Sequence, residues 1–187
     1  HTFNNMHKDN SMDFSLSKTI HGFSAFLKMN KPDLIIVHGD RIEALAGATC
    51  GALNNILVAH IEGGEVSGTI DDSIRHAVSK FAHIHLVTDA DSKKRLIQLG
   101  EDRSNIFILG SPDHDLMKKT VLPGIQDALD RYDIKFKKYS IVLYHSVISE
   151  LSDLKKHVSS FCKSIINSKK NYIVIYPNND HGSKIIL

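Results

Sequence analysis

Residues 33–64 read DLIIVHGDRIEALAGATCGALNNILVAHIEGG, and this stretch decides the fold class. Two short apolar runs, Asp33–Val37 and Ile56–Ile61, do not alternate, and turn residues bound them. Such runs predict strands buried on both faces, as in parallel sheets. Between them Arg41–Asn54, rich in Ala and Leu, predicts a helix. Its glycines Gly47 and Gly51 stand four apart and would permit close packing against the sheet. The two runs each end in a histidine and a carboxylate, His38-Gly39-Asp40 and His60-Ile61-Glu62. Open α/β sheets bind ligands outside the carboxyl ends of their strands, so the active site is expected within His38–His76.

Working outward, Met12–Met29 carries a near-helical stripe of Phe14, Leu16, Ile20, Phe23, Phe26 and Leu27, ended by Pro32. On the other side the loop Glu62–Gly68 leads to a helix predicted over 70–81. A strand over 84–88, a helix over 91–99 and a strand over 105–109 follow. Gly110-Ser111-Pro112 turns into a short helix ending near Met117. This alternation is the pattern of a doubly wound parallel sheet. Residues 120–138 change character, with Pro123, Gly124 and mixed charge, and read as a linker containing a weak helix. A second domain starts with a strand over 139–145, a helix over 150–168 and a strand over 172–176. The expected organisation is 1–119, linker 120–138, and 139–187 as a second domain only begun. The chain starts without Met and stops in what reads as the first turn of a helix, so both ends are expected to be cuts.

Composition sets bounds. Of 187 residues 42% are hydrophobic and 24% charged, ordinary for a globular protein. The net charge of +2 is scattered over short Lys/Arg pairs, with no basic stripe interleaved with aromatics, so no nucleic-acid partner is expected. The two cysteines, Cys50 and Cys162, lie far apart, which fits free thiols in a reducing cytoplasm. No apolar run approaches the ~20 residues of a membrane span, and the first residues lack a signal-peptide pattern.

The residues of the central stretch admit three readings. Asp40 precedes a helix and could be its N-cap, and Thr69 with Asp72 makes a near capping box. Asp71 with Arg75, and Asp72 with His76, fall four apart and could form intrahelical ion pairs. His38, His60, His76, Asp40 and Glu62 could instead compose a Zn or Mn site. The third reading is an acid–base cluster in which Arg75 holds Asp71 beside Asp40 and Glu62. Gly63-Gly64 and Gly68 would allow close approach to a ligand, but GG lacks the spacing of a dinucleotide or P-loop fingerprint. In the second domain His145 ends a strand, and Asn178-Asn179-Asp180 precedes a helix start that would suit phosphate.

VHGDRIEALA (37–46), AHIEGGEVSGTIDDSIRHAVSK (59–80), LGSPDHDLM (109–117) and YPNNDHGSK (176–184) together resemble the hydrolysing UDP-N-acetylglucosamine 2-epimerase family. The nearer branch is the sialic-acid and legionaminic-acid type. The resemblance runs over most of the chain in the same order. It implies a glycosyltransferase-B-like fold of two Rossmann-type domains, here with the first domain incomplete and the second barely started. It also implies a chemistry: the C2 proton of a UDP-sugar is removed, UDP leaves by anti elimination, and water adds to the glycal. No metal or other cofactor is implied.

Carried over position by position, Asp40, Glu62, Asp71 and His145 match the family's catalytic residues. Arg41 and Asn178 match positions that contact UDP, and Arg75 would support Asp71. His38 and His60 become strand-end packing residues. The sequence departs from the family's usual His-Pro-Val-Thr at His145-Ser146-Val147-Ile148. The expected protein is cytoplasmic and homo-oligomeric (dimer or tetramer), with a UDP-sugar as its partner and no membrane association. This chain alone is expected to be inactive. A metal-dependent hydrolase and a glycosyltransferase of the same fold are the rival activities.

Overall fold

The computed structural model describes residues 11–118, 122–147, 150–178 and 182–187. The chain forms two compact units, residues 1–118 and 119–187.

In the first unit α1 (Met12–Met29) ends three residues before Pro32, where the Asn30 amide bonds Phe26 O. Then come β1 (Leu34–His38), α2 (Ile42–Leu53), β2 (Leu57–Ile61), α3 (Ile70–Phe81), β3 (Ile84–Val87), α4 (Ala90–Gln98), β4 (Ile106–Ile108) and α5 (Pro112–Lys118). The strands pair in parallel in the order β1-β2-β3-β4. In this sequential order, the right-handed crossovers that parallel strands adopt place the connecting helices on one face. Val37, His60, His85 and Ile106 form one row across the sheet on that face.

Small residues explain how close α2 lies to the sheet. A Cβ on Gly47 would sit 3.0 Å from Val37, and one on Gly51 would sit 2.6 Å from Val58 and 3.0 Å from Ile35. The core there gathers Leu27, Ile35, Val37, Ala44, Ala48, Cys50, Val58, Ile74 and Val78. A smaller cluster of Val87, Leu96 and Ile106 sits beneath α4.

Burial along β1 alternates instead of being continuous. Ile35 and Val37 are buried, whereas Leu34 and Ile36 are 40% and 60% exposed. The run is apolar throughout, but only the helix-bearing face of this strand is covered by described residues. Phe14, expected in the α1 stripe, is also exposed.

The second unit holds α6 (Ile125–Arg131), β5 (Ser140–Val142), α7 (Leu154–Ser168), β6 (Tyr172–Val174) and α8 (Ser183–Ile186). β5 and β6 pair in parallel through the α7 crossover. The Tyr144 and Phe161 rings meet at 5.1 Å between centroids. β5 is shorter than expected, so His145 lies three residues beyond the strand, not at its end. No helix among the described residues is long and apolar enough to cross a membrane.

Candidate functional site

The first unit's polar residues collect where its strands end. β1 ends at His38 and β2 at Ile61, its register partner. Glu62 extends the ladder by donating its amide to Leu86 O at 2.9 Å, and Gly39 donates to Ile61 O at 3.0 Å. Beyond β4 the chain turns at Gly110 and presents Ser111.

Glu62 is the pivot. Its backbone has φ +64°, the left-handed region that residues with a Cβ rarely occupy. Its Oε2 lies 2.7 Å from His38 Nε2, and its Oε1 accepts from Ser111 Oγ at 2.8 Å. Burial works to raise this carboxyl. The Ser111 and His38 hydrogen bonds and the charges of His38 and Arg75 outweigh it and hold Glu62 below the usual glutamate range.

Asp40 is not a helix cap. α2 begins at Ile42 with Arg41 at the N-cap position, and the Asp40 carboxylate forms an ion pair with Arg75 Nη2. Arg75 is 6% exposed. Its Nη1 donates to Asp72 Oδ1 and to Glu65 O, both at 2.8 Å. The expected Arg75–Asp71 pair is therefore replaced by Arg75 with Asp40 and Asp72. Four residues along a helix bring Cα positions onto one face, but Arg75 is long enough to turn instead to the loop and to the end of β1.

Asp71 takes the Thr69 hydroxyl at 2.9 Å, while Thr69 caps α3 by accepting from the Asp71 amide at 3.3 Å. Nor does Asp72 pair with His76. It receives the amides of Ser67 (2.6 Å) and Gly68 (2.7 Å) and the Ser67 hydroxyl (3.0 Å). Burial pushes Asp72 upward, but these amides, the hydroxyl and Arg75 bring it down to about 2. His76 Nδ1 is buried without a hydrogen-bond partner.

The loop 62–68 is clamped at its backbone by two arginines, Arg75 on Glu65 O and Arg95 on Gly64 O (2.8 Å). Thr88 Oγ1 donates to the Glu65 carboxylate at 2.8 Å. A Cβ on Gly64 would collide with Ser92 O, and one on Gly63 would lie 2.9 Å from His60 and Ser79. The glycine pair is thus needed for packing against α3 and α4.

His60 is fully buried. Its Nε2 lies 2.8 Å from Gly39 O, which only accepts, so the proton is assigned to Nε2 and Nδ1 accepts from Ser79 Oγ at 3.0 Å. Burial lowers its pKa to about 4. His60 is the packing residue the sequence implied, and it also fixes the peptide that carries Asp40. His38 is not: its side chain is half exposed and points to Glu62.

Among the described residues no three His, Cys, Asp or Glu side chains converge as a metal ion requires. Both nitrogens of His60 and the Nε2 of His38 are already engaged.

In the second unit His145 and Asn178 are exposed. Asn179, Asp180 and His181 lie outside the described residues, and α8, only four residues long, is capped by Gly182. Sequence reasoning missed Ser111, Arg95 and the part played by His38. The signal for Ser111 was its position just past a strand, the same place that Asp40 and Glu62 occupy.

The family description UDP-N-acetylglucosamine 2-epimerase matches residues 1–187. A UDP-N-acetylglucosamine 2-epimerase of Neisseria meningitidis serogroup B is 44% identical over 185 residues, 99% of this chain and 49% of that protein. A UDP-N,N'-diacetylbacillosamine 2-epimerase (hydrolyzing) of Legionella pneumophila is 34% identical over 178 residues, 94% of this chain and 47% of that protein. The chain therefore spans about half the length of the curated relatives it matches. Among solved structures, the Neisseria meningitidis UDP-GlcNAc 2-epimerase bound to UDP-GlcNAc superposes with a TM-score of 0.73 at 18% identity. It is covered over 52% of its length by 97% of this chain, a likeness of fold. The strand-end carboxylates thus sit in the glycosyltransferase-B-like α/β fold that the sequence implied, and the chain belongs to the UDP-N-acetylglucosamine 2-epimerase family.

Proposed function

We propose that the whole protein carrying this chain is a hydrolysing UDP-sugar 2-epimerase. Its product would be the free 2-epimer, of the N-acetylmannosamine type, together with UDP. The observation that carries this reading is the placing of Asp40 and Glu62 at adjacent strand ends, each held by cationic or hydroxyl donors. Removing a weakly acidic C2 proton requires a carboxylate oriented in advance and poised to accept. Expelling UDP requires donors or positive charge at the departing oxygen. Asp40, Glu62, Asp71 and His145 are the proposed catalytic residues. Arg41 and Asn178 are proposed to contact UDP. Arg75 acts on the site through Asp40 and the loop.

The hydrolysing outcome is favoured because a relative at 34% identity carries that word in its name. The substrate is UDP-N-acetylglucosamine or its 2,4-diacetamido-trideoxy relative. The protein is further proposed to be cytoplasmic and to work as a homo-oligomer without a cofactor.

Incubating the whole protein with each UDP-sugar and analysing products tests the reading. Free UDP and a free 2-epimer in equal amounts are expected, undiminished by chelator. A UDP-linked 2-epimer as the sole product would overturn the hydrolysing step. Chelator-sensitive turnover would favour a metallohydrolase, and sugar transfer to an acceptor a glycosyltransferase.

A further inference from the structure

Glu62 has both carboxylate oxygens engaged by residues from two other segments. His38 comes from the end of β1, with Nε2 at 2.7 Å from Oε2, and Ser111 from the turn after β4, with Oγ at 2.8 Å from Oε1. The backbone under Glu62 is left-handed, a conformation that persists only when its surroundings impose it. The neighbouring loop is pinned through carbonyls by Arg75 and Arg95. Each of these contacts removes a freedom from one side chain.

We propose that His38 and Ser111 are positioning residues that lock the Glu62 carboxylate in its reactive orientation from opposite sides. The inference rests on the function proposed above. Neither residue is required to touch the sugar. A carboxylate that must meet a C–H bond in line loses rate steeply with small displacements, so the two donors act on turnover more than on substrate affinity. The charged groups acting on Glu62 are His38 itself and Arg75.

The experiment is steady-state kinetics of the whole protein with UDP-N-acetylglucosamine, or the diacetamido UDP-sugar if that is the one turned over. The variants are Ser111→Ala, Ser111→Thr and His38→Gln, each also made on Glu62→Gln. Ser111→Ala and His38→Gln are each expected to lower kcat about tenfold or more while KM moves less than about threefold. With a donor gone, the acid limb of the kcat profile should shift to higher pH. Ser111→Thr keeps the hydroxyl and should restore most of kcat.

On the Glu62→Gln background the same changes should cost little more, because the group they position is already altered. Unchanged kcat and pH profile, failure of threonine to rescue, or fully additive losses would overturn the proposal. His38 and Ser111 belong to different segments, so if one variant fails to fold the other gives the same reading. A wild-type protein that turns over no UDP-sugar overturns the proposed function itself, a result distinct from all of these.

Discussion

Arg75 shows how a single buried cation can organise several segments. One nitrogen meets Asp40 beyond β1, and the other joins Asp72 on its own helix to the carbonyl of Glu65 in the loop. Removing Arg75 takes a donor from the partly exposed Asp40 carboxylate and from the Glu65 carbonyl, while Asp72 keeps its Ser67 and Gly68 donors, at a cost of about 1–3 kcal/mol. Arg75→Ala is therefore expected to lower unfolding free energy by that order in urea titrations and to abolish UDP release. Arg75→Lys should recover only part of either, since an ammonium cannot present two parallel donors. The sequence placed Arg75 in the site but gave it the wrong partner. Spacing along a helix says which Cα atoms share a face, not where a long side chain ends.

At the scale of elements, the α2 contact depends on an absence of side chain. Gly51 meets Val58 and Ile35 at distances a methyl group could not share. Gly51→Ala gains helix propensity of up to about 1 kcal/mol, but the clash is with two core side chains and costs about 1–3 kcal/mol. A net loss is expected, read as a lowered thermal midpoint, and Gly47→Ala should cost less because its nearest neighbour stands farther off. Helix and strand positions were most legible where a switch in hydrophobic period coincides with Pro32, Asn54-Asn55 or a glycine. Both ends of α1 and of α3 agree with the residue pattern. The strands of the second unit are shorter than their apolar runs, since pairing needs a partner strand and apolarity alone does not supply one.

For the molecule as a whole, acid is the predicted weak point. His60 is held neutral by burial, near 4 when folded against 6.5 ordinarily. Its depressed value favours the native state above pH 6.5, and that contribution drains away as pH falls toward 4, about 3 kcal/mol in all. His85, also buried, is lowered by desolvation against the opposing pull of Glu101, and so works in the same direction. Asp72 adds a later loss, between 3.8 and about 2. Urea midpoints should fall between pH 6.5 and 4, and His60→Gln should flatten that part of the curve. Beyond the packing role implied for His60, this was not visible in the sequence, where burial does not yet separate twelve histidines. The parallel α/β class and the carboxylates at the strand ends were visible. The exposure of alternate residues on β1 was not, because what covers a sheet face is decided by elements distant along the chain.

The left-handed backbone of Glu62 implies an antagonism between durability and work. Any residue with a Cβ is disfavoured there by about 1–2 kcal/mol, and glycine is not. Glu62→Gly should therefore lose little stability, the relieved backbone offsetting much of the lost His38 and Ser111 contacts, and should release no UDP. Thermal melting beside a UDP assay would expose this. The backbone and the proposed reaction thus make opposite demands on this one position.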